Sequence, residues 1–170
     1  NENGELGKTE CWYVLDAKEG AKLVYGHTAK TKEEFNDKIN REQWQELFIE
    51  EEVKAGDFFY IPAGTLHAIG EGILIYEVQQ NSDTTYRVYD YDRVDKDGKK
   101  RELHIEKTKD VTKVPFEKVT TSPKTEKLEG ATVTYLADER YFSVFKVEVE
   151  GQVSLEKTRT GNLFTVLNGS

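Results

Sequence analysis

A chain of 170 residues and 19.5 kDa has the size of one domain, or of one domain with an appendage, and buries roughly two thirds of its unfolded surface. Lys and Arg number 24 against 32 Asp and Glu, for a net charge of −8, which repels a phosphate backbone or an anionic membrane over most of the surface and argues against both as partners. Hydrophobic residues make up 36%, with no apolar run near the roughly 20 residues that cross a bilayer and no leader-like pattern in Asn1–Glu5, so the expectation is a soluble cytoplasmic protein. Cys11 is the single cysteine. It cannot form an internal disulfide or a thiolate zinc cluster, so any metal must be held by His and carboxylate. The sequence contains no methionine and its last residues read as a strand entering a turn; the expectation is an internal stretch of a longer protein.

Short runs rich in β-branched and aromatic residues and bounded by Gly, Asp or Asn predict strands at Cys11–Leu15, Lys22–Tyr25, Asp57–Ile61, Ile73–Gln79 and Thr85–Tyr91. Thr31 with Glu34 has the form of a capping box, and Phe35, Ile39, Trp44, Leu47 and Phe48 recur at near-helical spacing, predicting one or two short helices inserted at about 31–48. Residues 106–130 are rich in Lys, Thr and Glu, carry Pro115 and Pro123 and show little periodicity, as a connector would. Further strands are predicted at Thr132–Leu136, Tyr141–Glu148 and Asn162–Leu167. The expected fold is mainly β: one β unit over 1–105 interrupted by the helices, a connector over 106–130, and the start of a second small β unit over 131–170.

The histidines are His27, His67 and His104. His67 ends the pattern G-x5-P-x-G-x-x-H, from Gly56 through Pro62 and Gly64, and so follows a strand and a Pro-Ala-Gly turn. Pro fixes one dihedral and Gly permits positive φ, so the turn is tight and aims His67 from the next strand. This stretch resembles the second half of the cupin metal-binding motif, with Glu71 where that motif carries a trailing Asn. The competing reading is a histidine hydrogen-bonded in a barrel mouth. For His27, after Tyr25-Gly26, a solvated loop position is the preferred reading, and His104 reads as a polar position on a strand. Lys8 and Glu10 are two apart and share a face if the opening run Gly4–Tyr13 is extended. From Glu77 to Arg93 polar groups crowd an otherwise apolar strand pair, and buried Glu, Gln and Arg cost free energy unless paired, so a site can account for their presence. Asp92 and Arg93 read equally well as a weak pair at a hairpin end.

Three of these motifs in order, Gly7-Lys8-Thr9-Glu10 with Trp12-Tyr13, then Pro62-Ala63-Gly64-Thr65-Leu66-His67, then Gln79-Gln80-Asn81-Ser82-Asp83 through Tyr86-Arg87 to Arg93, resemble the type I mannose-6-phosphate isomerases of the short bacterial kind. The resemblance covers essentially the whole chain. It implies a cupin, jelly-roll-like β-sandwich barrel over 1–105 with one zinc ion held by a Gln-x-His pair, a Glu and a second His. Glu10 matches the glutamate ligand and His67 the second histidine; Lys8 matches the active-site lysine, Arg87 the active-site arginine after Ser-Asp, and Glu77 an acidic residue displaced by one position. The Gln-x-His pair does not occur in these 170 residues and is expected upstream of Asn1. The resemblance implies reversible isomerisation of mannose 6-phosphate and fructose 6-phosphate, with zinc as cofactor and a small sugar phosphate as ligand. Such chemistry needs a base, a cation for the enediolate oxygen and a basic contact for phosphate. Lys8 and Glu77 both qualify as the base, and Arg87, always charged, as oxyanion or phosphate partner. Two other readings compete. One is a non-catalytic cupin-like sugar-binding module, which does not need a matched base and cation. The other is an Fe(II) cupin oxygenase, which usually shows an H-x-H pair that is not in this sequence.

Overall fold

A computed structural model describes residues 7–154 and 161–169; the opening Gly4-Glu5-Leu6 of the first motif lies outside the described residues. The chain divides into two compact units, Asn1–Thr121 and Ser122–Ser170, and among the described residues no helix is long and apolar enough to cross a membrane.

The first unit is built on two three-stranded antiparallel sheets. In one, β1 (Glu10–Ala17) lies between β4 (Phe58–Ile61) and β6 (Ile73–Gln79); in the other, β2 (Lys22–His27) lies between β3 (Phe48–Glu52) and β5 (His67–Ala68). The period of two fixes what faces inward: Trp12 and Val14 of β1, Phe59 and Ile61 of β4, and Leu23 and Tyr25 of β2 meet in one core with Val53. Burying that set of large side chains is the main stabilising term, at about 25 cal/mol per Å². Between β2 and β3 run α1 (Lys32–Asn40) and α2 (Trp44–Leu47). Thr31 caps α1 by accepting from the Glu34 backbone N–H at 3.2 Å, while the Glu34 carboxylate accepts from the Lys30 N–H at 2.8 Å rather than returning to Thr31. Phe35, Ile39 and Leu47 form a second core with Ala29 and Val88, on which Leu66 and Val114 pack. The mainly β fold with short inserted helices is thus the one expected.

Several elements differ from expectation. Thr85–Tyr91 is not a strand. Its Val88 and Tyr89 pack on the helical core, Tyr91 and Asp92 take left-handed φ of 53° and 54°, and around Arg87 the backbone bonds go to His104 instead of a ladder, His104 N–H donating to Arg87 O at 2.7 Å. His104 itself is the N-cap of α3 (Ile105–Val111), a helix not anticipated. The acidic run of β3 was assigned to no strand either, because Glu-rich sequence has low β-propensity; pairing with β2 makes it one.

The second unit is the antiparallel meander β7 (Lys124–Leu128), β8 (Ala131–Asp138) and β9 (Ser143–Val149). β8 contains the expected run Thr132–Leu136, while β9 starts at Ser143 and leaves Tyr141 and Phe142 of the expected run outside the strand; β7, whose KTEKL sequence is exposed throughout, is a strand the sequence does not predict. Asn162–Leu167, expected as a strand, forms no ladder among the described residues and leaves Leu163 and Phe164 in solvent.

Candidate active site

β1 carries Glu10 and Trp12 on the same inward face, with Lys8 just before it on that side. Glu10 is fully buried and its carboxylate is shared: Oε2 pairs with Lys8 Nζ, and Oε1 lies 2.5 Å from His67 Nε2. His67 arrives from the opposite sheet, paired through β5 with Tyr25 of β2. The turn before it works as the sequence predicts. Gly64 takes φ 85°, Thr65 N–H closes on Pro62 O at 3.1 Å, and Leu66 is anchored in the helical core. Thr65 O then accepts from His67 Nδ1 at 2.7 Å, which assigns the ring proton to Nδ1 and turns Nε2 toward Glu10. The Trp12 indole stands edge-on to the imidazole at 5.1 Å and 76°.

In register opposite Trp12 on β6 lies Glu77. Its Oε2 accepts from Trp12 Nε1 at 2.9 Å, and its Oε1 is 3.5 Å from Lys8 Nζ. His67, Glu10, Lys8, Glu77 and Trp12 therefore form a closed circuit of contacts spanning the two sheets. Glu77 remains about one third exposed at 34%, so the circuit has one dry side and one wet side. Burial pushes the Glu10 carboxyl up, but the adjoining His67 and Lys8 outweigh it and hold the group below its ordinary pKa. Cys11, on the other face of β1, is sealed in, and burial drives its thiol up to about 12. That removes it as a nucleophile or thiolate ligand.

Arg87 is not part of this circuit. It lies in the irregular segment after β6 rather than on the sheet that carries His67, and its Nη1 donates to Glu102 O at 3.3 Å while its backbone N–H reaches His104 Nδ1. His27 also departs from expectation: it is 2% exposed, enclosed by Phe35 and Phe116, with Nε2 donating to Lys113 O at 2.9 Å. Sequence reading missed the roles of Trp12 and of the buried Gln80, whose side chain accepts from Thr9 N–H at 2.9 Å and fastens the start of β1. Trp12 was legible from its spacing, two positions from Glu10 on the same face.

The two facing atoms at the centre are the chemically informative feature. Oε1 of Glu10 is buried with no hydrogen bond of good geometry, and 2.5 Å away it faces Nε2 of His67, the ring nitrogen not engaged by Thr65 O. A carboxylate oxygen and an imidazole nitrogen this close share a positive charge, a proton or a metal ion, and this hard-oxygen and imidazole pair is a donor set that zinc accepts. The residues present therefore fit a metal as two of its ligands; among the described residues no group of three or more metal-type side chains occurs.

No family model matches the chain. Mannose-6-phosphate isomerase ManA of Bacillus subtilis is 50% identical over 169 residues, covering 99% of this chain and 54% of that protein. The mannose-6-phosphate isomerase of Streptococcus mutans is 50% identical over 166 residues, covering 98% of this chain and 52% of its own length. A crystal structure of the mannose 6-phosphate isomerase from Bacillus subtilis superposes with a TM-score of 0.85 at 49% identity, covering 89% of this chain and 48% of that one. The chain spans about half the length of the curated relatives it matches. By sequence and by fold alike, it is a homologue of the mannose-6-phosphate isomerases, corresponding to about half of each.

Proposed function

We propose that this chain carries the catalytic face of a zinc-dependent isomerase that interconverts mannose 6-phosphate and fructose 6-phosphate. The observation behind the reading is the buried Glu10 Oε1 with no hydrogen bond of good geometry, set 2.5 Å from His67 Nε2. Glu10 and His67 would hold the metal as two of its ligands, the others being the Gln-x-His pair expected upstream. Bound there, the ion supplies Lewis acidity toward the sugar oxygens. The chain's own residues do the rest. Trp12 fixes one oxygen of Glu77, and Lys8 stands 3.5 Å from the other, so Lys8 and Glu77 form one proton-transfer unit at the wet edge of the circuit. That unit takes the proton from carbon 2 of the aldose, leaving an enediolate, and returns it to carbon 1, while the hydroxyl proton of oxygen 2 passes to oxygen 1, giving the ketose. Arg87, held by Glu102 O, supplies fixed positive charge for the enediolate oxygen or the phosphate.

In the full-length protein, His67→Ala should lose zinc and lose formation of fructose 6-phosphate in a coupled assay while its far-UV spectrum stays native. Stoichiometric zinc with normal turnover in that variant would overturn the ligand assignment.

A further inference from the structure

His67 has its aim set by a turn, and the turn is itself clamped by a distant piece of chain. Gly64 O accepts from Lys113 N–H at 3.0 Å, and a Cβ on Gly64 would meet Val111 O at 2.7 Å, so the end of α3 and the residues after it lie directly on the Pro62–His67 turn. The same strap is fastened to β2 at two points. His27 Nε2 donates to Lys113 O at 2.9 Å, and the Phe116 ring sits edge-on to Tyr25 at 5.4 Å, over Gly26, where any Cβ would fall 2.2 Å from the ring. Gly26 N–H in turn donates to Leu66 O at 2.7 Å, one residue before His67. Lys32 adds a further hold, its Nζ donating to Thr112 O at 3.0 Å.

His27 is sealed at 2% exposure with its Nδ1 lacking any hydrogen-bond partner. A buried imidazole with one nitrogen unsatisfied is costly to keep, and an apolar residue of similar size would pack there as well. What the imidazole provides beyond packing is the single N–H to Lys113 O. Burial holds its pKa below the ordinary histidine value, so the ring stays neutral with that proton on Nε2.

We propose that His27 is a positioning residue for His67, acting through the Lys113–Gly64 strap to set the direction of the imidazole that the metal receives. This rests on the reading of His67 as a metal ligand. Residues that orient a ligand typically change metal affinity by about 10–100-fold when removed.

The experiment compares His27→Phe, which keeps the ring volume and loses the donor, with His27→Gln, whose amide Nε2 can reach the same carbonyl. Both are made in the full-length protein. Zinc affinity is measured by chelator competition, and the His67 imidazole shifts are read by NMR in the metal-free protein. His27→Phe should weaken zinc at least about 10-fold and move the His67 signals; His27→Gln should restore both to near wild type. If His27→Phe fails to fold, Phe116→Leu loosens the strap without touching His27 and should weaken zinc in the same direction. Unchanged zinc affinity and unchanged His67 shifts in folded His27→Phe, or in Phe116→Leu, would overturn the strap. Retention of zinc by His67→Ala is a different failure, of the ligand assignment itself, and the NMR shifts still judge the strap in that case.

Discussion

β1 and the segment that follows β6 both mix polar and aromatic residues with valine, yet only the first forms a strand of a sheet. In β1 the period of two puts Glu10, Trp12 and Val14 on one side, so the polar pair and the core share a rigid ladder with β4 and β6. From Thr85 to Tyr91 a more polar and aromatic run is used differently. Val88 and Tyr89 pack on helices, Tyr89 stands 4.8 Å from Tyr91, and the buried Asp90 gathers Arg93 at 2.7 Å and Arg101 beside it. A ladder fixes which face each side chain takes through its backbone bonds; a segment held by side chains and a few backbone bonds is set by what it touches. On the proposed reading, the chemistry that requires alignment draws on β1, and Arg87 sits on the irregular segment.

The largest effect that separates the two regions is expected at Glu10. Glu10→Gln keeps the shape but removes the charge that faces His67 and Lys8, and metal stabilisation of developing charge amounts to several kcal/mol. Isomerisation should fall by about 10³-fold or more, with zinc lost in a direct metal assay; activity within about tenfold of wild type would mean the centre of the site is elsewhere. On the proposed ligand set, the 170-residue chain alone, supplied with zinc, is expected to give no turnover in the coupled assay, because two donors hold zinc weakly. Turnover comparable to an intact relative would refute that count.

Stability gives the next contrast. Ile61 is fully buried against Trp12 and Val14, and Ile61→Ala should cost about 2–5 kcal/mol in urea unfolding. Val88→Ala, in the helical core under the irregular segment, removes less volume and should cost less. Equal losses would show that the segment is as deeply built into the fold as β1.

How much of this was legible depends on where each residue's conformation is decided. The placement of Glu10 and His67 was readable because alternation along β1 and the Pro-Ala-Gly turn are local signals, whereas their roles came only from the resemblance. His27 was not: Tyr-Gly-His-Thr reads as a loop, and the Phe116 and Lys113 that bury it come from far along the chain. β3 was hidden because its glutamates, Glu51 paired with Lys118 at 2.6 Å and Glu50 facing Lys22 at 3.8 Å, find partners only after folding. Thr85–Tyr91 had strand composition, and tertiary packing overrode it.

Asp90 tests the irregular segment by itself. The hydrogen bond from Arg101, and with it that from Arg93, holds the Asp90 carboxyl well below the usual carboxylate range. A depressed folded pKa means that its stabilisation is fully present above the ordinary value of about 4 and is lost as pH falls through the folded value. Asp90→Asn should therefore melt lower than wild type at neutral pH, and the two curves should converge in acid. Because Arg93 and Arg101 are largely exposed, salt should narrow the gap as well. A constant difference from pH 7 to pH 2 would assign the Asp90 effect to packing instead of charge.

The smallest change, and the most discriminating for mechanism, is Arg87→Lys. Charge is conserved, but the ammonium is a compact point on a different stem, and the planar fork that reaches Glu102 O at 3.3 Å is gone. If Arg87 acts on charge that appears only in the transition state, turnover should fall by about tenfold or more with the Michaelis constant little changed. A residue that grips the phosphate equally in ground and transition states would raise the Michaelis constant and leave turnover within about threefold. The first outcome places the irregular segment inside the reacting centre and makes its looseness relative to β1 functional; the second makes it a substrate clamp at the rim.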